Sequence, residues 1–159
     1  MDYNESLGLL ATLGFGFILG FLLVLIIAYV LYAVAYYKAL KAVGYKNPWM
    51  IFIPFACNYA LTDAAFDSDE DASKIFFGAF TLPKTLVNFW WVLLLFTGYV
   101  PVIGGLLTIA LNVIFLGAIY TSLYSKIDGT NYEDNKVLGY ISSVITLIPI
   151  IKWIGLKLK

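Results

Sequence analysis

Apolar positions in this chain come in long blocks instead of alternating with polar ones. From Ser6 to Tyr37, 32 consecutive positions carry no charged side chain, well beyond the roughly 20 apolar residues that cross a bilayer as one helix. No proline interrupts Leu7 to Tyr45. A single helix of about 58 Å is therefore expected against a hydrocarbon core of about 30 Å, so it must tilt or project into the cytoplasm. Three further apolar blocks follow: Asn47 to Thr62, Ile75 to Ser125 interrupted only by Lys84, and Val137 to Ile151. Polar connections separate them at Asp63 to Lys74 and at Lys126 to Lys136. The pattern predicts an all-α polytopic integral membrane helical bundle forming one transmembrane domain over 1–159. Its parts are a long N-terminal helix (1–46), a short Pro-kinked or re-entrant segment (47–62), an acidic loop (63–74), Pro-kinked helices (75–125), a polar loop (126–136) and a C-terminal helix (137–159).

Composition sharpens this in one direction only. Hydrophobic residues make up 62% of the 159 positions and charged residues 13%, with a mean hydropathy of +0.88; ordinary soluble domains run near 45–50% and about 25%. Ten lysines balance ten acids, there is no His and no Arg, and Cys57 is the single cysteine. Disulfide frameworks, Cys/His metal sites and a net-basic nucleic-acid surface are thereby set aside, and no cofactor or metal is expected. Asp2 and Glu5 stand where a cleaved signal peptide would be basic, so the first span is expected to remain. Lys38, Lys41 and Lys46 follow it, which places the N-terminus outside and residue 38 in the cytoplasm. The expected location is the cytoplasmic membrane of a bacterium, multi-pass, with Lys38, Lys41 and Lys84 as headgroup or interface anchors.

Two topologies compete. With four spans, Asn47 to Thr62 is re-entrant or interfacial and the later spans run from about Thr85 to Pro101, Gly105 to Tyr124 and Val137 to Leu156. With five, Asn47 to Thr62 crosses, but its length reaches only about 24 Å and Lys84 is buried near mid-span, at about 2.5–3.5 kcal/mol on insertion scales. Four is the preferred reading. Were Pro149 to turn the chain back, the C-terminal lysines would return to the cytoplasm even so.

Small residues mark where helices can approach. Gly16 and Gly20 form a Gly-x-x-x-Gly pair beside Gly14, and Ala28, Ala35, Ala39 and Ala42 continue the track, a candidate association seam. Tyr29, Tyr32, Tyr36 and Tyr37 near the lysines fit an aromatic belt at the interface. Inside the later spans Asn88, Thr108, Asn112, Ser142, Ser143 and Thr146 could hydrogen-bond across helices, with Asn112 the sharpest because it falls near mid-span. Its expected role is helix packing.

Three prolines stand in aliphatic settings: Ile53-Pro54-Phe55, Val100-Pro101-Val102 and Ile148-Pro149-Ile150, 47 and 48 residues apart. That spacing suggests a degenerate repeat of elbows. Lys46-Asn47-Pro48-Trp49-Met50-Ile51-Phe52-Ile53-Pro54-Phe55, with Asn58 and Tyr59 after it, resembles a group of small uncharacterised bacterial multi-pass membrane proteins. In that group a Trp start, an aliphatic run, an Ile-Pro-aliphatic elbow and an Asn recur up to three times. Trp90-Trp91 leading to Pro101, and the Pro149 block, look like further copies, although the Asn after the elbow is missing from both. The resemblance implies a bacterial inner-membrane location and this architecture, and no activity.

Candidate chemistry is sparse. Asp67-x-Asp69-x-Asp71 opens like an EF-hand loop, but Ala72 stands where the sixth-position Gly belongs and Gly78 where the bidentate Glu belongs, so a solvated acidic turn is expected. Asn4-Glu5-Ser6 matches a glycosylation sequon short enough to arise by chance. Without His, the remaining nucleophilic option is a Ser/Lys dyad, and along one helix Ser142 and Ser143 lie about 14 Å from Lys152, too far to hydrogen-bond. The expectation is a non-catalytic membrane protein that acts by helix association, as a scaffold, accessory or assembly subunit. Its partners would be the bilayer and other membrane subunits or a second copy of itself, with no nucleic acid. The alternative is a small oligomeric channel or carrier in which Asn112 and the Pro101-Gly104-Gly105 break line a path.

Overall fold

The computed structural model describes residues 3–76 and 82–157, with side chains from residue 12 onward, and every described element is helical. Helix α1 (Tyr3–Ala42) leads into a 3-10 helix (Pro48–Phe52), α2 (Ala56–Ala65), the short α3 (Asp69–Ala72) and a 3-10 turn (Ser73–Phe76). Then come α4 (Lys84–Val87), α5 (Trp91–Thr97), α6 (Gly104–Asp128), α7 (Tyr132–Val144) and α8 (Leu147–Ile154). Two helices, α1 and α6, are long and apolar enough to cross a membrane, and the pair α7 and α8 would supply a third if counted as one broken span. The stretch Thr85 to Pro101, read from sequence as one span, is divided by turns at 88–90 into α4 and α5. The side chains of Asn4-Glu5-Ser6, and Gly78, lie outside the described part.

Helix ends follow local chemistry. Gly44 takes φ 73° and closes α1 with bonds from Tyr45 N–H to Leu40 O (2.9 Å) and from Gly44 N–H to Lys41 O (3.1 Å), which satisfy carbonyls the helix leaves open. Gly129 ends α6 the same way at φ 67°, with Thr130 N–H on Ser125 O.

The first two proline elbows share one backbone pattern. Residues Phe55 and Val102, each just after its proline, sit at φ 67° and 68°. Each is the centre of a γ-turn, closed by Ala56 N–H on Pro54 O and Ile103 N–H on Pro101 O, both 2.8 Å. The flanking bonds correspond too: Ile53 to Met50 and Val100 to Thr97 before the turn, Cys57 to Ile53 and Gly104 to Val100 across it. The third site keeps only the bond from Ile148 to Ile145. Pro149 lies in the first turn of α8, where no backbone donor is needed. The bend there comes earlier, between α7 and α8, and measures 118°.

The core gathers around the last turns of α1 and the second half of α6. Ala35, Tyr36, Ala39 and Leu40 are buried against α8, whose Trp153 is fully enclosed. Tyr36 lies edge-on to Trp153 at 4.9 Å and its hydroxyl meets that of Tyr120 at 2.7 Å. Tyr36 is thus a core residue and not part of an interfacial belt; Tyr29 instead donates to Phe52 O across the elbow. Helices α6 and α7 run antiparallel in close contact. A Cβ on Gly139 would fall 2.0 Å from Thr121 Oγ1, and one on Gly117 would fall 2.5 Å from the Tyr140 ring. Trp90 stacks on Phe115 at 4.9 Å and donates to Thr62 Oγ1, tying the start of α5 to α6 and α2.

Candidate functional site

The two faces of α1 have different fates. Near its C-terminal end the small residues Ala35 and Ala39 let α8 approach, and Lys38 Nζ donates to Ile154 O at 2.6 Å. Every residue from Thr12 to Leu31 is exposed. A Cβ added at Gly14, Gly16 or Gly20 would meet nothing within 4 Å. The Gly16 and Gly20 seam is therefore open along its whole length, while the lower part of the same track is already occupied by α8.

A polar lattice closes the other end of the molecule. Lys84 Nζ lies 2.8 Å from Asp63 Oδ1, which also accepts from Asn88 Nδ2 at 3.2 Å, while Tyr45 donates to Asp63 Oδ2 at 3.2 Å. The Lys84 backbone N–H donates to Asp69 Oδ1 at 2.7 Å. Lys126 joins Asp67 at 2.8 Å and the Ala64 carbonyl at 2.9 Å; Lys74 joins Asp71, and Lys152 joins Asp128 at 2.6 Å. Lys84 is thus an ion-pair partner at this end, whereas Lys41 is exposed. Each aspartate of the acidic Asp67, Asp69, Asp71 run has a donor within the chain, and among the described residues no group of three His, Cys, Asp or Glu is placed to hold a metal.

These contacts set the acid–base behaviour. Burial alone would lift the Asp63 carboxyl, but hydrogen bonds from Lys84, Asn88 and Tyr45, with the Lys84 charge, more than offset it and leave Asp63 below the ordinary carboxylate range. Asp71 is lowered on the same balance, its burial outweighed chiefly by Lys74. The Tyr45 hydroxyl is pushed up, first by burial and then by the Asp63 charge.

The polar side chains expected to bridge helices divide into two sets. Thr108 meets Thr97 across α5 and α6 at 2.6 Å, Ser142 meets Tyr124 across α7 and α6 at 2.9 Å, and Asn88 reaches Asp63. Asn112 does not bridge: its one hydrogen bond among the described residues runs from Nδ2 to Thr108 O, 2.9 Å away on its own helix. Ser143 bonds only to Tyr140 O. The bend before α8 brings Lys152 over the Tyr124 ring at 4.5 Å, yet Ser142, fully buried, bonds to Leu138 O and Tyr124, and neither serine bonds to a lysine.

An apolar groove of about 370 Å³ lies between α4, α5 and α6, floored by Trp90 and Phe115 and walled by Leu86 and Leu93. What sequence reasoning missed is the tight α6–α7 contact at Gly117 and Gly139. The signal was present, as Gly139 sits four residues after Asn135 and three before Ser142 on one face, but a lone Gly in a helix does not reveal its neighbour. The partners of Lys84 were also hidden, because Asp63 lies 21 positions back across a loop. Comparison of the chain with protein-family models, with curated proteins and with solved structures gave no match.

Proposed function

We propose that this is a non-catalytic integral membrane protein that works by association, as an accessory or assembly subunit whose α1 recruits another transmembrane helix. One observation carries the reading: the Thr12 to Leu31 stretch of α1 is apolar, long enough to cross most of a bilayer, and touches nothing else in the chain. Helices in lipid associate through close backbone approach, which small residues permit, and Gly16 and Gly20 keep that approach open. Support for a non-catalytic role comes from Ser142 and Ser143, whose hydroxyls are bonded away from every lysine.

The topology that fits this reading has α1 crossing from outside to inside, α4–α5 and α6 forming a hairpin from the charged end, and α7–α8 re-entering and turning back. The lysines and acids of the lattice would then share the cytoplasmic face, in keeping with the excess of lysine after α1. The hairpin tip, Tyr99 to Gly105, contains no charge, and Val102 is fully exposed there, so lipid is its natural surrounding.

The deciding experiment is native mass spectrometry of the full chain released from lipid nanodiscs formed from its own membranes. Gly16→Leu with Gly20→Leu is expected to remove a bound membrane subunit or second copy that the wild type retains. A wild type that carries no partner, or a double variant that keeps it, would overturn the reading.

A further inference from the structure

Asn112 presents an accounting problem. An asparagine amide offers two donors and an acceptor oxygen with two lone pairs. Within the chain Asn112 uses one donor, on the Thr108 carbonyl of its own helix, and nothing else is bonded to it. It is half-buried, so the rest of the amide looks outward. It lies 14 residues before Lys126, the cation that fixes the charged end of α6, hence about 21 Å down the helix axis and inside the hydrocarbon layer. Water is not there to complete the bonding, and a polar group in that position needs a partner from another helix.

The face around it is free. Gly105, Ile109, Asn112 and Leu116 follow one another at intervals of four, three and four, which puts them on one side of α6. Helix α5 holds the adjoining side through Thr108 and Phe115, and α7 holds the far side through Gly117 and Thr121. On the open side Ile109 is exposed and a Cβ at Gly105 would meet nothing within 4 Å. The nearby apolar groove between α5 and α6 runs past Leu107 and Leu111 and does not include Asn112, so no path within this chain accounts for the amide.

We infer that Asn112 is the centre of a two-fold interface with a second copy of this chain, in which the two amides bond to each other. The occupant follows from chemistry. A primary amide is its own complement, donor against acceptor in both directions, and a two-fold axis places one residue against the same residue of the partner. Copies inserted in the same orientation present this face at the same depth, and Gly105 one turn-pair away lets the backbones come together. The interface is separate from the α1 seam and stands whether or not that seam is used.

The test uses the full chain in liposomes, labelled at a Cys57→Ala background with one added terminal cysteine, and reads dimer fraction by single-molecule photobleaching across protein-to-lipid ratios. Wild type should dimerise; Asn112→Leu should weaken the dimer at least tenfold, Gly105→Leu similarly, and Asn112→Gln should keep most of it. Asn112→Cys in the Cys57→Ala chain, oxidised with copper phenanthroline, should cross-link to itself, which holds the proposal to account even where a leucine variant fails to insert. A monomeric wild type at every ratio, Asn112→Leu dimerising as the wild type does, or no cross-link at position 112 would each overturn it. Gly16→Leu with Gly20→Leu is the separating control: loss of dimer there with position 112 uncoupled transfers the contact to α1 and removes it from α6.

Discussion

Lys152 ends 2.6 Å from Asp128, 24 residues earlier in the chain, with its ammonium 4.5 Å above the Tyr124 ring. Helix α7 departs from that same end of α6, so the pair shows the chain leaving along α7 and coming back along α8. The sharp bend at Ile145 and Thr146 is what allows the return.

Lys152→Leu should therefore loosen α8 more than the loss of an exposed ion pair would. Two contacts go together, the Asp128 carboxylate and the Tyr124 face, for a cost of about 1–2 kcal/mol. The unfolding midpoint in detergent should drop, and trypsin should cut faster at Lys157. Exchanging the charges, Asp128→Lys with Lys152→Asp, should recover part of the loss; no recovery would show that the ring contact matters more than the pair.

Acid should weaken the lattice in a defined window. Asp63 is held below its ordinary carboxylate range when folded, so the stability it contributes is complete above about pH 4, the usual unfolded value, and disappears as pH falls through the folded value. Asp71 adds in the same direction. Thermal unfolding followed from pH 6 to pH 3 should show an acid limb that Asp63→Asn makes shallower. An identical limb in that variant would assign it elsewhere.

The γ-turn at Val102 offers a stabilising substitution. A β-branched residue at φ 68° is strained, and the side chain is fully exposed, so the chain loses no packing when it is removed. Val102→Gly should raise stability by about 1 kcal/mol, strain relief exceeding the added chain entropy. A lower denaturation midpoint would instead mean that the valine is held by lipid or by a partner.

Gly139→Ala and Gly16→Ala should behave as opposites. The first places a methyl among Thr121 Oγ1, Thr121 N and Gly117 O, all within 2.8 Å, where backbone cannot move aside, and a loss of about 2–3 kcal/mol is expected. The second enters open space and should leave the isolated chain unchanged. Paired melting curves in detergent decide it.

Which of these features the residue order reveals depends on range. Helical content, the length of α1 and the punctuation at Pro54 and Pro101 are local, set by apolar run length and by proline's missing donor, and each has its counterpart in the structure. Pro149 misled because proline both breaks helices and starts them, and here it starts one. Tyr36 looked interfacial by its neighbours Lys38 and Lys41, but whether a tyrosine meets headgroups or Tyr120 depends on a contact 84 positions away. The Lys84–Asp63 pair and the Gly139–Thr121 approach are of the same kind: pattern places a residue on a helix face, and only the packing of other segments decides what that face meets.

The bare upper part of α1 also bears on how the protein is made. Residues before Tyr32 form no contact with anything synthesised later, so the first span can leave the insertion machinery and equilibrate with lipid before the remainder of the polypeptide exists. Only its last three turns must wait, as a landing place for a helix that emerges at the very end of translation. Maturation is thus timed by the carboxyl terminus: a ribosome stalled ahead of Trp153 would leave an inserted but unclosed intermediate, with the Tyr36 ring still uncovered and available to quality-control factors.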